Sequence, residues 1–105
     1  MTWVVYMLSG DTVTEEDYRH YLQVTREAMG KVKIAPPEGS PLEKVARDFL
    51  NMAKAYTDDS GHFAKNGDLA RAVCAVYYAH AWLDAGARMG LFDVDGDDRL
   101  FTLST

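Results

Sequence analysis

The sequence predicts an all-α protein, an antiparallel bundle of three helices at about residues 14–32, 41–66 and 69–89. Two observations carry this prediction. Apolar residues recur at three- and four-residue steps within each segment, which is the spacing of one helix face. Capping residues precede each segment, and proline or glycine follows each one, as at the ends of helices. We therefore expect three amphipathic helices packed around one core.

The length of the chain predicts a single domain. A chain of 105 residues can bury a core without disulfides or metals. We treat residues 1–105 as one helical-bundle domain. Within it, residues 1–10 form an N-terminal arm and residues 91–105 a C-terminal extension.

The first helix begins next to Thr14. Thr14 and Asp17 resemble a capping box in which aspartate replaces the usual glutamate. The prolines Pro36 and Pro37 end the segment, because they lack amide donors and favour extended backbone. The apolar stripe of this helix consists of Tyr18, Tyr21, Leu22, Thr25, Ala28, Met29 and Val32.

The second helix has the clearest start, with Ser40 as N-cap, Pro41 at the first helical position and Glu43 completing a capping box. Residues 58–61 are weak helix formers, so a break near Gly61 is the alternative to one long helix. Phe63 resumes the stripe seven residues after Tyr56, which favours one helix ending at residues 66–67. The stripe consists of Leu42, Val45, Ala46, Phe49, Met52, Ala53, Tyr56 and Phe63.

The third helix is the longest apolar segment, bordered by Asp68 and Gly90. It carries two adjacent apolar lines, and such a helix packs on two sides. We therefore expect it to be the inner helix, with the other two against it. The first line is Leu69, Val73, Val76, His80, Leu83 and Ala87, and the second is Ala72, Ala75, Ala79, Trp82 and Gly86.

The two ends of the chain have strand character. Residues 3–8 and residues 99–103 are rich in β-branched, aromatic and leucine side chains. We expect a short two-stranded pair between them. The alternatives for residues 3–8 are an apolar arm over the bundle or a poorly ordered terminus.

The composition of the chain argues against nucleic-acid and membrane partners and favours a reducing compartment. The formal charge is −5, and no basic cluster stands out that would neutralise phosphates, so we expect no nucleic-acid partner. The apolar run at residues 3–8 is too short to cross a bilayer, so we expect no membrane partner. The single cysteine, Cys74, excludes an intrachain disulfide, which favours a reducing cytoplasm.

Several strings resemble a known family. These are NMAKAY at residues 51–56, Gly67–Asp68, and YAHAWLDAGARMGLF at residues 78–92, of which WLDAGAR is the most specific part. Together they resemble the short archaeal proteins called domain of unknown function 357, over roughly residues 16–103. The resemblance implies a three-helix bundle like those of small immunoglobulin- or albumin-binding domains, and it implies no activity. The chain departs from the family at residues 3–8, which look like an addition, and at residues 58–61.

The candidate chemistry centres on His80 and Asp84, one turn apart on the third helix. Such a pair could act as a general base with its orienting carboxylate. A buried, hydrogen-bonded histidine is the more common situation. Asp84 could equally form an ion pair with Arg88, four residues on.

Other patterns point only weakly to chemistry. Asp17 with His20, and Asp59 with His62, repeat a carboxylate–histidine spacing used in di-iron bundles. Both histidines flank their stripes, so we predict no metal site and no cofactor. The acidic residues 93–97 lack the glycine and glutamate positions of a calcium loop. Cys74 is expected to be an inert core thiol.

These observations favour a binding protein over an enzyme. No convincing catalytic constellation is present, aromatic side chains such as Tyr77 are expected to be exposed, and the predicted fold is one often used for recognition. We expect a protein–protein interaction or self-association module, with a homo-oligomer as the natural state. The alternative is a metal-dependent or acid/base enzyme using His80 and Asp84. The residues predicted to bind are Tyr77, Trp82, Asp84 and Arg88.

Overall fold

A computed structural model describes residues 12–103 and contains three helices and one short strand pair. The elements are α1 (Glu15–Lys31), β1 (Lys33–Ile34), α2 (Pro41–Lys65), α3 (Leu69–Arg88) and β2 (Phe92–Asp93). The predicted all-α three-helix bundle is confirmed, and each helix ends within a residue or two of its expected bounds.

Local capping explains where the helices begin. The Asp17 amide donates to Thr14 Oγ1, and the Asp17 carboxylate accepts from the Thr14 amide, so the predicted capping box forms. The Ser40 hydroxyl and the Asp68 carboxylate each accept from the amide three residues on and so cap α2 and α3. The capping box predicted for α2 is not completed, because the Glu43 carboxylate accepts from the Gly39 amide while the Ser40 amide bonds the Pro37 carbonyl. After α2, Gly67 adopts the left-handed conformation (φ 78°) that favours glycine.

Helix α2 runs unbroken through Gly61. Two of its hydroxyls bond to carbonyls of their own helix: Thr57 Oγ1 donates to the Ala53 oxygen (2.8 Å), and Ser60 Oγ donates to the Thr57 oxygen (2.6 Å). The Tyr18 hydroxyl of α1 then donates to Ser60 Oγ (3.2 Å). Buried hydrogen bonds and contact with α1 thus hold a stretch of weak intrinsic helix propensity in the helix.

Helix α3 is the inner helix, as predicted, but the bundle is asymmetric. It packs most extensively against α2 and less extensively against α1, and α1 and α2 scarcely touch. The molecule is therefore an α2–α3 hairpin with α1 against one side of α3. This leaves the opposite side of the hairpin without a covering helix among residues 12–103.

The strand pair does not form where it was expected. Residues 99–103 contain no strand, and residues 3–8 lie outside the described part of the chain. The antiparallel pair instead joins β1 to β2, with Ile34 opposite Phe92. This pairing brings residues 91–103 back onto the bundle, where Leu91, Phe92, Val94, Leu100 and Phe101 enter the core.

Candidate functional site

His80 lies inside the bundle and has no exposed surface. Its Nε2 is 2.7 Å from the carbonyl oxygen of Leu100, which can only accept a hydrogen bond, so Nε2 is the protonated nitrogen. In the neutral ring, Nδ1 then accepts from Thr25 Oγ1 at 3.0 Å. The Leu100 carbonyl thus excludes the neutral tautomer that carries its proton on Nδ1.

Burial lowers the pKa of His80, and this effect outweighs the nearby Asp84 carboxylate and the Leu100 carbonyl, both of which raise it. The carboxylate lies 3.7 Å from Nε2. It does not form the short contact that would make it an orienting partner of the imidazole. The lowered pKa therefore favours the neutral ring, and the Leu100 carbonyl assigns its proton to Nε2.

Asp84 holds the C-terminal segment instead. Its Oδ1 accepts from the backbone amide of Thr102 at 2.9 Å. Among residues 12–103, its side chain forms no ion pair with Arg88. His80 and Asp84 thus fasten Leu100 and Thr102 onto α3, and this geometry suits anchoring rather than proton exchange with a substrate.

Tyr77 is partly buried on the α1 side of α3, where its ring centroid lies 5.7 Å from that of Tyr21. Burial, followed by the neighbouring Tyr21, raises the pKa of Tyr77 to about 12. The exposed tyrosine is the next residue, Tyr78, with 48% of its surface accessible. Trp82 lies on the same side of α3 as Tyr78, whereas Arg88 is exposed near the end of the helix.

Tyr78 is the centre of an aromatic surface shared by α2 and α3. Its ring packs edge-on against Tyr56 (centroids 4.5 Å apart) and lies 6.1 Å from Trp82. Trp82 in turn packs edge-on against Phe49 at 4.9 Å. Four aromatic side chains therefore form a continuous row across the two helices.

Two shallow depressions lie on either side of Tyr78. The first, of about 270 Å³, is lined by Phe49, Tyr78, Ala81, Trp82, Ala85 and Met89. The second, of about 330 Å³, is lined by Tyr56, Asp59, Phe63, Arg71, Cys74, Ala75 and Tyr78. The first is entirely uncharged, and only Asp59 and Arg71 bring charge to the second.

The surface extends along α2 through Leu42 and Val45, which precede Phe49 by seven and four residues and so share its side of the helix. Their accessible fractions are 57% and 37%. At the far end of α3, Met89 is 64% accessible. The α2/α3 face is defined as Leu42, Val45, Phe49 and Tyr56 of α2 with Cys74, Tyr78, Ala81, Trp82, Ala85 and Met89 of α3.

The expectation that Cys74 is a core thiol is wrong, because its side chain is exposed. Cys74 lies four residues before Tyr78 and therefore on the same outward side of α3. Periodicity could not place it, since almost every line along this alanine-rich helix is apolar. The same ambiguity hid the exposed position of Tyr78.

The remaining patterns show no metal-binding geometry. Among residues 12–103, no three His, Cys, Asp or Glu side chains are grouped so as to hold a metal ion. In the acidic stretch, Asp97 accepts from the backbone amides of Arg99 and Leu100 and pairs with Lys31 at 2.6 Å. That carboxylate shapes a turn and ties it to the end of α1. The ion pair with Lys31 contributes most to holding the pKa of Asp97 down, at about 2.

A larger depression, of about 580 Å³, lies along α1. One helix alone lines it, through Arg19, Leu22, Gln23, Arg26 and Glu27. It is a polar stretch of helix surface with no second element converging on it.

None of the three helices within residues 12–103 has the length and apolar character that a membrane-spanning helix needs.

Comparisons with known proteins identify a family. No curated protein and no solved structure matches the chain. A family model described as "Protein of unknown function (DUF357)" matches residues 20–92, which include most of α1, all of α2 and α3, and the first residue of β2. The match covers well over half of the 105 residues, and the chain therefore belongs to the DUF357 family.

Proposed function

We propose that this protein is a protein-binding module whose docking surface is the α2/α3 face. The observation that carries the proposal is the exposure of Tyr78 and Met89 within a face that is uncharged along most of its length. Contiguous exposed apolar surface rimmed by polar residues marks interaction sites in soluble proteins. Tyrosine, tryptophan, phenylalanine and methionine are also the residues enriched at protein interfaces.

The composition of α3 supports the same proposal. Between Ala72 and Ala87 its only charged side chain is Asp84, which is occupied by Thr102. A helix that is apolar all round is normally buried all round. Here α1, α2 and residues 91–103 cover part of α3, and the outward side is left for a partner.

A protein fits this face better than a small ligand does. Small-molecule sites enclose their ligand and fix its orientation with converging polar groups. The depression beside Trp82 has no charged side chain in its lining, and both depressions are lined only by α2 and α3. A broad apolar partner surface would cover both depressions at once.

The setting we propose is the cytoplasm. A single cysteine in a chain of 105 residues suits a reducing compartment, where a thiol such as Cys74 stays free. The net charge of −5 argues against a nucleic-acid partner, because phosphates would be repelled. The partner is thus a protein, either a different chain or a second copy.

The proposal is tested by an affinity capture that compares Tyr78→Glu with the matched control Gln23→Glu. Both positions are exposed on helices, and Gln23 lies on α1, away from the α2/α3 face. Tagged wild-type protein is expected to retain a defined protein, identified by mass spectrometry and including untagged copies of itself. Gln23→Glu should retain it equally, and Tyr78→Glu should reduce it at least tenfold, the effect of losing an interface hot spot.

Equal retention by Tyr78→Glu, or no protein retained by the wild type, would contradict the proposal. Circular dichroism on all three proteins shows whether each one is folded. Tyr78 is about half exposed, so we expect its replacement to leave the helix content and the melting temperature nearly unchanged.

A further inference from the structure

The exposed side chains of α3 form a stripe in which small and large residues alternate. Two such stripes that run antiparallel would place large residues of one opposite small residues of the other. Along the helix the stripe is Cys74 (small), Tyr78 (large), Ala81 and Ala85 (small) and Met89 (large). When the order is reversed, Met89 takes the place of Cys74, and Ala85 takes the place of Tyr78. Two such stripes running in opposite directions can therefore interlock.

We propose that a second copy of this chain covers the α2/α3 face, with the two α3 helices packed antiparallel about a two-fold axis. This inference rests on the proposed function and names the partner. The axis passes between Ala81 and Trp82, so that two α2–α3 hairpins face each other. The four helices then form an antiparallel layered bundle, with each α1 on the outside.

Antiparallel packing pairs bulky residues with hollows. An axis between residues 81 and 82 brings Tyr78 of each copy opposite Ala85 of the other, and Cys74 opposite Met89. The small side chains at positions 81 and 85 let the helices approach to the 8–10 Å of ordinary helix packing. A parallel arrangement would set Tyr78 against Tyr78 and Met89 against Met89, with no small residue opposite either.

The extent and the charge of the face are compatible with such a dimer. From Cys74 to Met89 the stripe is about 22 Å long, at 1.5 Å per residue. A specific dimer needs roughly 600 Å² from each copy at the lower end, and α2 widens the stripe with Leu42 and Val45, which are 57% and 37% accessible. The stripe of α3 contains no charged side chain, so no like charges meet in the middle of the contact. Arg71 lies beyond Cys74 and within 3.5 Å of Asp68 of its own helix cap.

Disulfide trapping tests the register directly. A disulfide needs Cα atoms about 4.4–6.8 Å apart. In a full-length Met89→Cys variant, Cys74 of one copy meets the introduced thiol of the other, and mild oxidation is expected to convert most of the protein to a covalent dimer. The two thiols of one chain stay about 22 Å apart on the same helix and cannot pair.

Two matched controls accompany this variant. The double variant Cys74→Ser with Met89→Cys removes one thiol of each expected bridge and should stay largely uncrosslinked. The wild type, whose single Cys74 lies about 22 Å from its counterpart across the axis, should do the same. Efficient cross-linking of the wild type would indicate a parallel arrangement and would overturn the proposal, as would no cross-linking of Met89→Cys.

Light scattering provides a test that needs no new cysteine. The wild type at tens of micromolar is expected to have twice the 11.7 kDa mass of one chain. Ala81→Glu sets two carboxylates beside the axis and should give folded monomers, whereas Gln23→Glu should remain dimeric. A monomeric wild type overturns the inference, as does an Ala81→Glu protein that remains dimeric.

The outcomes also separate this inference from the proposed function. A monomeric chain that still captures a different protein through Tyr78 overturns only the second copy as partner. A monomeric chain that dimerises once residues 1–11 are deleted also overturns it, and points to the chain's own apolar residues 3–8 as the occupant. A chain that captures nothing through Tyr78 overturns both.

Discussion

At the scale of single residues, His80 joins three parts of the chain. Its ring nitrogens bond Thr25 of α1 and the carbonyl of Leu100 in the C-terminal segment, while its backbone belongs to α3. Protonation of Nδ1 would reverse the Thr25 hydrogen bond, so that Thr25 Oγ1 accepts, and would place a positive charge in a fully buried site. Full stability of the folded protein therefore requires the neutral ring.

This requirement predicts a loss of stability in mild acid. The pKa of His80 is lower in the folded protein than its ordinary value of 6.5, so the unfolded chain takes up a proton first as the pH falls. Stability is then complete above about pH 6.5 and declines below it. Between pH 7.5 and 5.5 we expect a loss of about 1 kcal/mol in the free energy of unfolding, measured by urea denaturation.

The control for this prediction is His80→Gln, whose amide offers a donor and an acceptor but does not titrate. It should unfold at lower urea than the wild type at pH 7.5. Its loss between pH 7.5 and 5.5 should be smaller by about the 1 kcal/mol assigned to the ring. If both proteins lose the same amount, the titrating group is not His80.

At the scale of elements, two glycines inside helices have opposite surroundings. A Cβ built on Gly61 in α2 meets nothing within 4 Å. A Cβ on Gly86 in α3 would overlap the ring of Phe92, which is buried where β2 meets the helix. Gly86 thus leaves the space that the Phe92 ring fills, whereas no neighbouring group fills the space beside Gly61.

Replacing Gly61 or Gly86 with alanine is therefore expected to change the free energy of unfolding in opposite directions. Gly61→Ala should stabilise the protein by about 0.5–1 kcal/mol, because alanine loses less conformational freedom in a helix. Gly86→Ala should destabilise it by about 1–3 kcal/mol, because Phe92 has to shift within a packed core. Thermal and urea unfolding of both variants measure the difference. Stabilisation by Gly86→Ala would mean that the ring moves freely.

The helices could be predicted from the sequence because their signals are local. Thr14, Ser40 and Asp68 each bond an amide three residues on, so a capping motif read from the chain is sufficient. The inner position of α3 also followed from its composition. Local patterns could not show which side of α3 faces solvent, because this alanine-rich helix has no line of polar residues that would mark an exposed side.

The same reasoning explains the misplaced strands. Residues 91–92 and 100–101 are apolar doublets without periodicity, so nothing in them indicates burial against α3. Their positions depend on long-range contacts, such as those of Leu100 with His80 and of Thr102 with Asp84. The spacing of His80 and Asp84 thus predicts that they share one side of α3, whereas their hydrogen bonds to Leu100 and Thr102 depend on a segment sixteen or more residues away.

At the scale of the whole molecule, the bundle is asymmetric. One side of the α2–α3 hairpin is covered by α1, and the C-terminal segment is fastened by His80 and Asp84. The other side presents the α2/α3 face. A fold that covers one side of its central hairpin and leaves the other apolar has the shape of half a larger bundle.

The proposed dimer should therefore tighten as salt is added. Each copy carries a net charge of −5, so two copies repel at long range, while the contact itself is apolar. Raising NaCl from about 0.05 to about 0.5 M shortens the screening length several-fold and removes most of this repulsion. Sedimentation equilibrium should show the dimer dissociation constant falling a few-fold over this range, while Ala81→Glu remains monomeric throughout. Weaker association at high salt would instead mean that ion pairs between the two copies hold the dimer together.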